Sequence, residues 1–138
     1  MLSNQNNGMN INISVNNDSI ICELMDKNTC VSSCRINITE KTWTISSWYT
    51  AKDQKHNGYG KYVLQTAIQN AYSKTGRPDK VEYIWNGANQ YVYDWMSKHF
   101  EPISRCPLTV QKYASCDDWE SHIYILNVEK VLNYFGIT

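Results

Sequence analysis

The chain has 138 residues, 42% hydrophobic and 19% charged, a composition that fits one small globular domain with a single core. Its 13 basic residues balance 13 acidic ones, so no net field supports broad nucleic-acid or membrane-surface binding. No apolar run approaches the length of a membrane span.

The first residues are rich in asparagine, with Asn4, Asn6, Asn7, Asn10 and Asn12. They contain no lysine, arginine or apolar core segment, so they do not form a secretory signal peptide. Residues 1–10 are expected to be a flexible Asn/Ser-rich tail, and 11–138 a single domain. The polar leader resembles the export signals of bacterial secreted effectors, so the expected cytoplasmic location includes export to a host cytosol. From Ile11 the alternation Ile11, Ile13, Val15 predicts a first strand. Asn16-Asn17-Asp18 leads into a second over Ser19–Leu24, and Asp26-Lys27-Asn28 is a turn cluster before a third over Cys30–Ile38. Lys41–Tyr49 reads KTWTISSWY, a β-rich run in which Trp43, Ile45 and Tyr49 share one parity.

Gly58-Tyr59-Gly60 follows. Downstream, Val63, Leu64, Ala67, Ile68 and Ala71 lie on one stripe of a helix over Gly60–Ser73, which Gly76 and Pro78 end. A G-x-G turn between a strand and a helix exposes backbone N–H groups at a helix N-terminus, where the dipole favours an anion such as a pyrophosphate. A dinucleotide fingerprint would need a third glycine where Val63 stands, and a Walker loop would need Gly-Lys-Ser/Thr, which is absent.

Lys80–Trp85 predicts the next strand, and a helix follows from about Asn89 to Phe100. Ile103–Val110 and His122–Asn127 read as two further strands around a polar loop, Gln111–Ser121. Val128, Val131, Leu132 and Phe135, spaced i, i+3, i+4, i+7, predict a terminal helix. Five cysteines (Cys22, Cys30, Cys34, Cys106, Cys116) form no C-x-x-C pair. Neither a zinc ribbon nor a disulfide framework is indicated, and reduced thiols are expected, with no metal.

Lys55-His56-Asn57-Gly58-Tyr59-Gly60 resembles the coenzyme A signature of the GCN5-related N-acetyltransferases, with lysine in place of the usual Arg or Gln. Asn89-Gln90-Tyr91-Val92-Tyr93-Asp94-Trp95-Met96-Ser97-Lys98-His99-Phe100 is similar to the family's later helix. Trp95 stands where many members have a tyrosine, and His99 where they have glycine. The resemblance implies an α/β fold with a central, mostly antiparallel sheet flanked by helices. Its N-terminal half is shortened, because only Asn16-Asn17-Asp18 separates the first two strands.

It also implies an acetyltransferase with acetyl-coenzyme A as co-substrate and an amine acceptor, protein or small molecule, in a monomer or homodimer. On that resemblance Lys55, His56, Asn57, Gly58, Tyr59, Gly60 and Lys61 hold the pyrophosphate. Trp48, Tyr49 and Thr50 pair with the pantetheine arm, and Asn89 also contacts the cofactor. A general base is sought among the carboxylates beside strands, Glu40 and Glu82 foremost and Glu23 behind them. Tyr93 is the candidate acid for the leaving thiolate. The alternative is a scaffold of this fold that binds partners without turnover.

Overall fold

The computed structural model describes residues 9–51, 57–85, 90–100, 104–107 and 122–137, and of 85, 90–93, 104–107 and 122–124 the backbone alone. The chain forms two compact units, Met1–Arg77 and Pro78–Thr138.

In the first unit, β1 (Met9–Val15), β2 (Ser19–Asp26), β3 (Thr29–Thr39) and β4 (Thr42–Thr50) form an antiparallel meander, followed by α1 (Tyr59–Thr75). The first strand begins at Met9, two residues ahead of the expected Ile11. Two-residue turns join β2 to β3 and β3 to β4, and each opens on a residue with positive φ, Lys27 at 58° and Glu40 at 55°. That geometry matches the right-handed twist of the flanking strands. Alternation puts Ile20, Cys22 and Leu24 of β2, Cys34, Ile36 and Ile38 of β3, and Trp43 and Ile45 of β4 in the core. The stripe Val63, Leu64, Ala67, Ile68, Ala71 of α1 is fully buried, and α1 packs on β2, β3 and β4. Each large aliphatic side chain so buried contributes about 1.5–3 kcal/mol. At the helix end, Gly76 adopts φ 75° and its N–H bonds the Tyr72 carbonyl at 2.7 Å, a glycine C-cap as expected.

One feature of β4 overturns an expectation. Arg35 faces Ser47 and Ile36 faces Ile45, so Ser46 is an extra residue on β4, a β-bulge. Its hydroxyl is buried with no hydrogen-bond partner among the described residues. Beyond the bulge the alternation is shifted by one. Tyr49, which strict parity puts with Trp43 and Ile45, is instead 49% exposed, and Trp48 and Thr50 are half-buried.

In the second unit, β5 (Lys80–Trp85) and β6 (Ser104–Pro107) each pair antiparallel with β7 (His122–Leu126). α2 spans Gln90–Phe100 and α3 spans Val128–Tyr134. Asn127 caps α3, its side-chain oxygen accepting the Lys130 N–H at 3.2 Å. Its own backbone N–H bonds the Phe100 carbonyl at 3.2 Å, which ties α3 to the end of α2. Of the strand expected over Ile103–Val110, only residues 104–107 are described, and the loop expected over Gln111–Ser121 lies outside the described residues.

Candidate functional site

The site is built where β4 ends and α1 begins. Gly58 precedes the helix at φ 80°, ψ 5°, the left-handed conformation that only glycine adopts without cost. A Cβ there would meet nothing within 4 Å among the described residues, so the requirement at 58 is conformational. Gly60 has the opposite reason for being glycine. A Cβ on it would stand 2.9 Å from Thr50 Oγ1 and 3.6 Å from the Trp48 ring. The helix therefore approaches β4 closely at this point, and the glycine is needed for packing within the protein.

One hydrogen bond fixes that approach, and two more through Ser32 of β3 hold the end of β4 in place. The Trp48 indole Nε1–H donates to the Gly60 carbonyl at 2.8 Å. The Thr50 hydroxyl lies 2.9 Å from the Ser32 hydroxyl, and Ser32 donates to the Tyr49 carbonyl at 2.8 Å. The far end of the helix has a matching anchor, since Trp43 Nε1–H donates to Thr75 Oγ1 at 3.0 Å. Two tryptophans of one strand thus hold the two ends of α1.

The first turn of α1 carries what an anion needs. Gly58 at the N-cap has no side chain to offer and residues 59–62 carry no acid, while the Tyr62 N–H bonds the Gly58 carbonyl at 3.0 Å. The N–H groups of Tyr59 and Gly60 lie at the very start of the helix, where the dipole adds positive potential. Beside this turn, the last residues of β4 alternate in the direction of their main-chain groups. Ala51 N–H bonds the Val31 carbonyl at 2.8 Å, and Tyr49 faces Ser33 in the same phase. In an antiparallel ladder the residues between, Trp48 and Thr50, direct N–H and C=O away from β3.

Of the expected cofactor residues, the structure brings together Trp48, Tyr49, Thr50, Gly58, Tyr59, Gly60 and Lys61. Asn57 precedes the turn and is exposed. The side chains of Trp48 and Thr50 face α1, and their main-chain groups point away from β3. Lys55, His56 and Asn89 lie outside the described residues.

The structure does not bring Glu40 to the site. It sits exposed in the β3–β4 turn, at the opposite end of the nine-residue β4 from Thr50, about 30 Å away along the strand. Its positive φ gives it a turn role. Glu23 is exposed on β2. Glu82 is half-buried on β5, 3.6 Å from Lys80 Nζ. Tyr93 lies on α2, and its side chain is outside the described residues.

Trp95 and His99 have a packing role that the sequence did not show. Trp95 lies with ring centroids 4.7 Å from His99, 5.3 Å from Phe100 and 5.5 Å from Tyr134, the last two edge-on. His99 is 4.9 Å from Tyr134. The two residues that depart from the acetyltransferase pattern join α2 to α3 through an aromatic cluster. Trp95 brings no acidic proton.

The described thiols are unsuited to nucleophilic chemistry. Burial pushes Cys22 up to about 11 and Cys34 well above its usual range. Cys30 is raised by burial and by the Glu23 carboxylate.

No protein-family model and no curated protein sequence matches the chain. Solved structures do. A nourseothricin acetyltransferase aligns with a TM-score of 0.63 at 11% identity, over 87% of this chain and 84% of that one. An IAA acetyltransferase from Bacillus cereus gives 0.62 at 15% identity, over 80% and 77%. A GNAT family acetyltransferase from Elizabethkingia anophelis, with acetyl-CoA bound, gives 0.58 at 10% identity, over 87% and 97%. The chain has the α/β fold of the GCN5-related N-acetyltransferases.

Proposed function

We propose that this chain, folded as those enzymes are, binds acetyl-coenzyme A on its first unit and transfers the acetyl group to a primary amine by direct attack on the thioester. The acceptor is a protein lysine, a protein N-terminus or a small-molecule amine. The observation that carries the reading is the glycine-started first turn of α1 held against the end of β4 by the Trp48 bond to the Gly60 carbonyl. The N–H groups around Gly58 to Lys61 take the pyrophosphate, with Lys55, His56 and Asn57 flanking it. The main-chain groups of Trp48 and Thr50 pair with the amides of pantetheine as an added strand would. An N–H of that segment faces the thioester oxygen and stabilises the oxyanion as the amine attacks. Holding donor and acceptor together supplies much of the acceleration, because the thioester is already reactive.

A thermal-shift titration with coenzyme A and acetyl-coenzyme A tests binding, since a ligand of the folded state raises the melting temperature. Gly58→Asp separates binding from folding. Its Cβ meets nothing within 4 Å among the described residues, and aspartate tolerates the left-handed region better than most residues, but its charge opposes the pyrophosphate. Affinity is expected to fall roughly tenfold or more with the fold retained. Unchanged affinity would show the turn to be structural only. Thiol release over an amine panel then tests turnover, with Glu82→Gln and Tyr93→Phe reporting on the base and the acid.

One observation favours a second reading, a scaffold that binds the cofactor without turnover. Trp95, at the position of the usual acid, is committed to the cluster with Phe100 and Tyr134. A cofactor-dependent melting shift with no thiol release on any amine would select it.

A further inference from the structure

β1 is the edge strand of the first unit, and among the described residues it pairs with β2 alone. Its register sets Ile11 opposite Leu24, Ile13 opposite Cys22 and Val15 opposite Ile20. These three apolar side chains therefore lie on the face whose β2 members are fully buried, yet Ile13 is 43% and Val15 50% exposed.

The main chain points the same way. Asn16 N–H bonds the Ser19 carbonyl at 2.8 Å, and the alternation of an antiparallel pair makes Ser14 and Asn12 the next residues bonded across to β2. The N–H and C=O groups of Met9, Ile11, Ile13 and Val15 are directed outward.

Native edges are blunted by charge, proline, a bulge or shortness. Met9–Val15 is seven residues long, with no charge, proline or glycine, and its register to β2 is unbroken. The strand also reads nearly the same in both directions about Asn12. Met9 mirrors Val15, Asn10 mirrors Ser14, and Ile11 mirrors Ile13. Antiparallel pairing with an identical strand is the arrangement that such a palindrome matches.

We propose that β1 is a homodimerisation strand, pairing antiparallel with β1 of a second copy about a two-fold axis at Asn12. An isologous contact of this kind closes on itself. In this register every outward-facing residue meets an outward-facing residue, Met9 with Val15 and Ile11 with Ile13, so the main-chain bonds are satisfied. Apolar side chains meet apolar ones on one face, and Asn10, Asn12 and Ser14 meet amides and hydroxyls on the other. A slip of one residue sets outward main-chain groups against residues whose N–H and C=O are already bonded to β2, and a slip of two shortens the overlap.

Sedimentation equilibrium of the full chain tests the proposal. A mass approaching twice 16.0 kDa at high loading, falling toward the monomer on dilution, is the expected result. A monomer at every loading overturns it. Ile13→Pro removes an outward N–H and leaves the bonds to β2, which come from Asn12, Ser14 and Asn16, so it is expected to sediment as a monomer. Persistence of the dimer also overturns the proposal.

Because proline could loosen β1 itself, a second variant reads the register without it. In Asn12→Cys the two thiols face each other as a non-hydrogen-bonded pair, with Cα atoms about 4.5 Å apart, within disulfide reach. Oxidised glutathione is expected to cross-link it above the wild-type background and to leave Asn10→Cys, which faces Ser14, uncross-linked. Equal cross-linking at both positions, or at neither, refutes the two-fold at Asn12.

Discussion

The two halves of β4 carry the same kind of sequence and do different work. Before Ser46, Trp43 and Ile45 are fully buried and Trp43 closes the C-terminal end of α1. After it, Trp48 and Thr50 are half-buried, seat the N-terminal end of α1, and turn main-chain groups away from β3. One extra residue divides them. A strand of uniform phase would put either Tyr49 or Trp48 in the wrong place for both tasks. The bulge lets a single strand serve as core at one end and as the seat of the helix start at the other.

The sharpest test of that contrast is a pair of truncations. Trp43→Ala is expected to cost about 3–5 kcal/mol, the range for emptying a fully buried aromatic site, read as the denaturant midpoint. Affinity for coenzyme A should change little in the fraction that remains folded. Trp48→Phe should do the reverse, losing about 1 kcal/mol of stability for one hydrogen bond while weakening cofactor binding. Equal effects of the two variants on binding would dissolve the distinction between the halves.

Next in size, Gly60→Ala is expected to cost about 1–3 kcal/mol by overpacking, because its Cβ meets Thr50 Oγ1 at 2.9 Å. Combining it with Thr50→Ala should recover part of that loss, since neighbours in contact are not additive. A penalty indifferent to residue 50 would mean that the close approach of α1 to β4 is not what makes 60 a glycine. Gly58→Ala should cost about 1–2 kcal/mol from the left-handed backbone, with no rescue from Thr50→Ala, because among the described residues nothing lies within 4 Å of the added Cβ.

The smallest effect concerns the buried face of the sheet. Cys22 titrates near 9.0 when unfolded and at about 11 when folded, so the folded state holds its proton longer. Stability from this group is full below about pH 9 and falls as pH rises toward about 11. The slope of unfolding free energy against pH in that window should be shallower in Cys22→Ala. An unchanged slope would assign alkaline sensitivity elsewhere.

Much of the fold was legible because period and punctuation agree with the tertiary structure. The stripe from Val63 to Ala71 is the buried face of α1, and Lys80–Trp85 is β5 as read. The order strand, glycine turn, helix led to the GCN5-related N-acetyltransferase fold that the structural comparison supports. What escaped is what depends on register. Nothing in KTWTISSWY marks Ser46 as the extra residue, because a bulge is defined by the strand opposite. The parity that joined Tyr49 to Trp43 fails there for that reason. Gly58 and Gly60 look alike in sequence, and only the space around each separates a backbone requirement from a packing one. Glu40 was chosen by proximity in sequence to β4, and a strand puts its two ends far apart. Trp95 read as a missing acid because its partner Tyr134 is distant in the chain.

The bond from Trp48 to the Gly60 carbonyl also makes the protein its own optical sensor. An indole held 2.8 Å from the first turn of α1 reports on the polarity and order of that turn through its emission, without any attached dye. The other four tryptophans of the chain supply a constant background, which the spectrum of Trp48→Phe subtracts. Titrating a nucleotide thioester and following the difference signal would then measure occupancy at the helix start directly, independently of whether any acetyl group moves.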